Sequence, residues 1–408
     1  MDITLLKSKI KNRKSEVTIT GSKSESNRLL LLQALYPELE IKNVSNSDDS
    51  KLMQKALSSS SNVIDIHHAG TAMRFLTAFF SAQKDRKVVL TGSSRMQERP
   101  IQILVEALQQ LGAEISYENN HGYPPIKISG KELTKHKVTL KANVSSQYIS
   151  ALLLIASKLE NGLELILEGK ITSVPYINMT LILLNDIGVE TSFIGNSIHV
   201  KPNTLQSKKQ TLVVESDWSS ASYFYSVVAM SDIGTEIKLS AYKQNSLQGD
   251  SVLAEIYKDF GVETVFNYNS ITLIKTNSCK QQTVNHELSN APDIAQTIAV
   301  TCLGLGVGCN LKGLHTLKIK ETDRLVALKT EIEKFGTEVT ITEDSLSINK
   351  VHPLIEGISV DTYHDHRMAM AFAPLALKIG FNVNEADVVS KSYPDFWKNL
   401  KELGFSVA

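Results

Sequence analysis

Net charge is what this sequence lacks most completely: 43 lysines and arginines stand against 43 aspartates and glutamates. That balance argues against a protein that grips nucleic acid through bulk charge, so any taste for anions must come from local placement. Cysteine is scarce. Cys279, Cys302 and Cys309 fit no zinc spacing, and their odd number fits no disulfide framework, which points to a reducing compartment. Long hydrophobic runs are missing as well. Nothing approaches the ~20 apolar residues of a membrane span, and the opening "MDITLLKSKI" has no apolar core of signal-peptide length. A cytoplasmic protein without membrane or nucleic-acid partners is expected.

What is present is ordinary globular material, 42% hydrophobic and 21% charged over 408 residues, enough for two or three domains with large cores. One pattern recurs: an amphipathic helix, a glycine, then a strand. It is read in "PIQILVEALQQLGAEISY", "PYINMTLILLNDIGVETSF", "DSVLAEIYKDFGVETVF", "DRLVALKTEIEKFGTEVTI" and "PDFWKNLKELGFSV". Gly112, Gly188, Gly261, Gly336 and Gly404 fit left-handed C-terminal caps, and Pro100 suits a first helical turn. The glycines recur roughly every 70 to 75 residues, too long for a solenoid and right for a repeated subdomain. A sixth, degenerate copy is read at "DDSKLMQKALSSSSNVIDI". Each unit also holds a nearly uniform apolar helix, beginning at "GSKSESNRLLLL", "HAGTAMRFLTAFF", "SSQYISALLLIA", "DWSSASYFYSVVA", "APDIAQTIAVTCL" and "HDHRMAMAFAPLAL". Such helices are expected inside a core. "GLGVG" (Gly304 to Gly308) is read as a helix end, and "KPNTLQSKKQ" (Lys201 to Gln210) as a polar loop.

The unusual polar residues gather where these helices begin: Lys23, Ser24 and Arg28; Arg74; Ser145, Ser146 and Gln147; Asp217; Asp293; His366 and Arg367. The segments ahead of the amphipathic helices add Arg95, Arg99, Ser173, Lys320, Glu321, Arg324 and Lys391. A helix start carries partial positive charge and unpaired N–H groups. Cations there are disfavoured by about 0.3–1 kcal/mol each, a cost easily offset if a phosphate or carboxylate sits among them. By itself, Asp293 beside Pro292 reads as a plain helix cap, and "HDH" (His364 to His366) lacks the companions of a metal site.

Taken together, "GSKSESNR", "AGTAMR", "RMQERPI", "SSQYISALL", "SVPYI", "ESDWSSASYF", "APDIAQT", "IKETDRL", "HDHRMAMAFA" and "KSYPDF" resemble, in order and over nearly the whole chain, the EPSP synthase (3-phosphoshikimate 1-carboxyvinyltransferase) family. The resemblance implies an α/β, two-domain enolpyruvyl transferase fold: six βαβαββ units, three per domain, with an interdomain cleft. It places residues 21–214 in one domain, on the shikimate 3-phosphate side. Residues 1–20 with 215–408 form the other, carrying the base and residues for phosphoenolpyruvate.

The reaction implied joins phosphoenolpyruvate to the 5-hydroxyl of shikimate 3-phosphate and releases phosphate through a tetrahedral intermediate, with no cofactor and no metal. By resemblance the catalytic residues are Lys23, Asp293 as base, Glu321 and Lys391. Shikimate 3-phosphate is assigned to Lys23, Ser24, Arg28, Ser145, Ser146, Gln147, Ser173, Asp293 and Lys320. Phosphoenolpyruvate is assigned to Lys23, Gly70, Arg95, Gln147, Arg324, His366, Arg367 and Lys391. A monomer is expected. Glyphosate, which occupies the phosphoenolpyruvate site in that family, is an expected inhibitor because Gly70 is kept.

Departures from the family pattern fall at His68 and His364, where asparagine is usual, at Thr316, another asparagine position, and at Phe75, where proline is common. The alternative is the related enolpyruvyl transferase acting on UDP-N-acetylglucosamine. It calls for a catalytic cysteine near "RMQERPI", where this chain has none. A non-catalytic phosphometabolite binder would not need Lys23, Asp293, Glu321 and Lys391 together. RNA-end chemistry on a related fold would call for a basic surface.

Overall fold

The computed structural model describes residues 1–408 apart from 142–144, 170, 172 and 203–208; most of the polar loop expected at Lys201 to Gln210 therefore lies outside the described residues. The six apolar segments form helices Lys23–Leu35, Gly70–Ser81, Ser146–Ala156, Trp218–Met230, Ala295–Leu305 and His366–Phe372. Each is sunk in a core, with only helix ends reaching the surface, as an all-round apolar helix requires.

Each buried helix belongs to a parallel strand pair, because parallel neighbours need a crossover and a helix supplies it. The pairs are Val63–Asp65 with Lys87–Thr91, Lys137–Lys141 with Leu163–Glu168, Thr283–Glu287 with Gly308–Lys312, and Ser359–Val360 with Phe381–Val383. In two pairs the strands come from distant chain segments: Lys14–Val17 with Glu236–Ser240, and Leu39–Lys42 with Gln210–Val213. These two discontinuous pairs mark where one unit is inserted into the other. The chain divides into a first unit, Met1–Thr20 with Glu215–Ala408, and a second unit, Gly21–Val214.

In the second unit the helices beginning at Lys23, Gly70 and Ser146 pack on one another. Two four-stranded sheets and the two-stranded pair of Leu39–Lys42 and Gln210–Val213 complete it. In the first unit the helix from Ala295 packs against those from Trp218 and His366. Its two four-stranded sheets are joined by a three-stranded sheet, whose third strand is the N-terminal Ile3–Leu5 paired antiparallel to Phe381–Val383. Four of the six repeats are complete among the described residues. The two that lack a hairpin are the pair Leu39–Lys42 with Gln210–Val213 and the sheet of Ile3–Leu5, Ser359–Val360 and Phe381–Val383.

The five capping glycines all adopt positive φ, from 72° at Gly261 to 111° at Gly404, and the helix from Ala295 ends on Gly306 at φ 75°. Two expectations need correction. The third amphipathic segment is a short helix, Leu253–Ile256, between two tighter 3-10 turns, Gly249–Val252 and Tyr257–Phe260. Leu253, Ile256, Tyr257 and Phe260 all enter the core. Pro100 precedes its helix, which starts at Gln102. Its carbonyl instead accepts hydrogen bonds from Tyr148 and Arg74. Among the described residues no helix is long and apolar enough to cross a membrane.

Candidate functional site

In the first unit, charge converges on Arg324. Asp323 caps the helix Arg324–Lys334 by accepting from the Leu325 and Val326 amides at 3.1 and 3.2 Å. This fixes Arg324 at the first helical position, with its side chain only 2% exposed. Its Nε donates to Asp365 at 2.6 Å, one terminal nitrogen to Asp293 at 2.8 Å and the other to Glu321 at 2.7 Å. Burial alone would lower its pKa, but Asp365, Glu321 and Asp293 together raise it above the ordinary arginine value. Asp365 also caps the helix His366–Phe372, accepting from the Arg367 amide at 2.9 Å.

Asp293 does not cap the helix that follows it. Its carboxylate faces Arg324, then Arg367 at 3.3 Å and Lys320 at 3.4 Å. Burial would raise its pKa; Arg367, Lys320 and Arg324 outweigh that and hold it well below the usual carboxylate range. His366 is buried beside Asp365. The turn before it carries two successive left-handed residues, Tyr363 at φ 53° and His364 at φ 54°, a conformation that costs free energy outside glycine. The buried Glu331 holds it there by accepting from the Tyr363 hydroxyl at 2.6 Å and the Asp361 amide at 3.0 Å. The carbonyl of His364 in turn accepts from Lys391 Nζ at 2.7 Å. Asp293, Lys320, Glu321, Arg324, His366, Arg367 and Lys391 therefore belong to one connected cluster.

The second unit builds its polar helix starts from hydroxyls and backbone. The helices from Lys23, Gly70 and Val174 start without a side-chain cap, Ser173 ahead of the last at φ 54°. Lys23 Nζ lies 3.4 Å from Asp49. Ser145 caps the helix Ser146–Ala156 through the Gln147 amide, and the Gln147 side chain donates to Thr71 at 3.1 Å, tying that start to the one at Gly70. Arg74 donates to the Gly70 carbonyl at 3.0 Å.

Arg28, expected on the substrate, is 2% exposed and turned inward. It donates to Thr180 at 2.8 Å, Ser150 at 2.9 Å and the carbonyls of Ser24 and Tyr176, with the Phe75 ring 5.4 Å from its guanidinium. It positions Ser24 and Tyr176 rather than offering its donors outward. Among largely neutral oxygens, burial pushes its pKa down to about 10. Arg95 stands on the short helix Ser94–Gln97, its side chain 58% exposed and paired with Glu98 at 2.8 Å. Arg99 lies against Gly70: a Cβ there would stand 2.5 Å from its guanidinium. Asp365, read in the sequence only as the middle of "HDH", stands directly before a helix start, the mark of an N-cap; Asp49, inside a helix of its own, carries no signal.

The comparisons with known proteins agree on one group. The family model for EPSP synthase (3-phosphoshikimate 1-carboxyvinyltransferase) matches residues 54–400. The 3-phosphoshikimate 1-carboxyvinyltransferase of Bacteroides fragilis is 45% identical over 97% of this chain and 96% of its own length. That of Haemophilus influenzae is 33% identical over 95% and 96%. Among solved structures, an EPSP synthase from Acinetobacter baumannii superposes with a TM-score of 0.81 at 21% identity, covering 100% of this chain and 99% of that one. The enolpyruvyl transferase NikO from Streptomyces tendae gives 0.73 at 12%, covering 100% and 98%. At those identities the superpositions establish the shared fold.

Proposed function

The chain belongs to the EPSP synthase family, and from that premise we propose how its own residues carry the reaction. The enzyme transfers the enolpyruvyl group of phosphoenolpyruvate to the 5-hydroxyl of shikimate 3-phosphate and releases phosphate, a step of aromatic amino acid biosynthesis. The UDP-N-acetylglucosamine alternative is not favoured, since the relatives at 45% and 33% identity carry the shikimate name.

Asp293 is our assignment for the base that takes the 5-hydroxyl proton. Three cationic side chains within 3.4 Å keep it ionised, and while they do it is a poor base. Binding of the substrates' phosphates and carboxylates to Arg324, Arg367 and Lys320 draws charge away from it. Its basicity then rises when the substrates are in place, which is when it is needed. Glu321 and Lys391 are the candidates for proton transfer at the methylene carbon, Lys391 being aimed by the His364 carbonyl. Arg324, Arg367, His366 and Lys391 hold phosphoenolpyruvate in this reading.

From the second unit we assign Lys23, Gly70, Gln147 and, in place of Arg95, Arg99 to phosphoenolpyruvate. Lys23, Ser24, Ser145, Ser146, Gln147 and Ser173 serve shikimate 3-phosphate, with Lys320 and Asp293 from the first unit. Arg28 supplies positive charge and fixes Ser24. Helix starts at Lys23, Gly70 and Val174 support anion binding there, since their N-cap side chains do not cap their first N–H groups. The same reading makes the enzyme a cytoplasmic monomer without nucleic-acid or membrane partners, inhibited by glyphosate at the phosphoenolpyruvate subsite.

The observation that carries the assignment is the Asp293 carboxylate held between Arg324, Arg367 and Lys320. The test is phosphate release from phosphoenolpyruvate. Release is expected only when shikimate 3-phosphate is also present; release with UDP-N-acetylglucosamine instead, or none with either, overturns it.

A further inference from the structure

Behind Arg367 stands a buried acid that the reaction above does not use. Asp250 opens the turn Gly249–Val252 and is 3% exposed. Its Oδ2 accepts a short hydrogen bond from the Ser219 hydroxyl, and its Oδ1 is buried with no hydrogen-bond partner among the described residues. Ser219 Oγ accepts in turn from a terminal nitrogen of Arg367 at 3.2 Å. The same nitrogen lies 3.3 Å from the Asp293 carboxylate, and the other donates to the Asp293 carbonyl at 3.1 Å.

We infer that Asp250 is a positioning residue for phosphoenolpyruvate binding, acting through Ser219 to fix the orientation of Arg367. The inference rests on the assignment of Arg367 to phosphoenolpyruvate made above. A hydroxyl has one proton and two lone pairs. With its proton committed to Asp250, Ser219 can present only lone pairs to Arg367. The guanidinium is then held from two directions, by Asp293 and by Ser219, and its planar fork is fixed. Without Asp250 the hydroxyl proton is free to turn toward the cation, and Arg367 loses the Ser219 acceptor.

A loop anchor would not need this acid. Gln248 already ties the segment to the helix Trp218–Met230, accepting from the Trp218 amide and donating to the Ser216 carbonyl, both at 2.9 Å. A buried carboxylate is costly. Burial and the nearby Asp293 push the Asp250 carboxyl up to about 6, with Arg367 and Ser219 acting the other way. A neutral side chain would anchor the turn at lower cost.

The test is a double-mutant cycle of Asp250→Ala and Ser219→Ala with steady-state kinetics in both substrates. Each single variant is expected to raise KM for phosphoenolpyruvate about tenfold, the worth of one charge-assisted hydrogen bond. The kcat should stay within about threefold and KM for shikimate 3-phosphate should not move. The double variant should be no worse than either single one, since both break the same link. Asp250→Asn, which keeps an acceptor oxygen, should restore most of the affinity. Additive effects, equal rises in both KM values, or an unchanged KM for phosphoenolpyruvate overturn the inference while leaving the function standing. A wild-type enzyme silent with both substrates overturns the assignment and the inference together.

Discussion

Arg324 and Arg28 are both buried to 2% exposure, and they are shifted in opposite directions. Arg324, in the first unit, donates to three carboxylates, and its positive charge is locked in. Arg28, in the second unit, donates to two hydroxyls and two carbonyls, under aromatic rings, and burial makes its charge less secure than an ordinary arginine's. The difference teaches what each region is built to do. The first unit balances charge internally, so its acids and bases hold fixed protonation states until anions disturb the balance. The second unit leaves a buried cation facing mostly neutral dipoles, its donors taken by hydroxyls and carbonyls.

The sharpest way to break this contrast is at Asp293. Asp293→Asn keeps the shape but not the base, and turnover measured by phosphate release is expected to fall about 10²–10⁴-fold. Near-normal turnover would move proton transfer out of the carboxylate cluster. Next comes the pair of arginines themselves. Arg324→Met strands the fully buried Asp365 and should cost roughly 3–5 kcal/mol in urea unfolding. Arg28→Met should cost less, about 1–2 kcal/mol, because Thr180 and Ser150 still hydrogen-bond each other at 3.0 Å. Equal losses would erase the distinction.

A titration sharpens it further. Asp293, depressed in the fold, contributes stability that is present above the unfolded carboxylate value near about 4 and is lost as pH falls below it. Asp250 has the opposite sign: raised to about 6, it costs stability as pH rises from its unfolded value through that point. Asp250→Asn should therefore gain on the wild type between acid and neutral pH, by up to about 3 kcal/mol. A flat difference across that range would refute the burial effect. The smallest expected effect lies away from all charge. Gly112, at φ 101° with open space where a Cβ would stand, should lose about 1 kcal/mol in thermal unfolding as Gly112→Ala, from backbone alone.

Much of this was readable before any coordinates. Uniform apolar runs announced the six buried helices, and the glycines announced where their amphipathic partners stop. The choice between Arg95 and Arg99 was not readable. The helix holding Arg95 ends at Gln97, and the chain turns at Glu98 before Arg99, so sequence distance says nothing about which side chain meets Gly70. Arg28 sits in a polar helix start, which in the sequence says nothing about which way its side chain turns. Its direction depends on Ser150 and Thr180, more than a hundred residues away. Ser219 lies inside "ESDWSSASYF" and Asp250 opens the third amphipathic segment, but neither pattern foretells that they meet at Arg367.

The sequence by itself determined the elements, their caps and the family, because hydrophobic period, glycine and N-cap chemistry act over a few neighbouring residues. The tertiary structure alone decided which charge neutralises which. Asp293, Arg324 and Asp365 lie far apart along the chain, and electrostatic energy depends on distance and burial rather than on order.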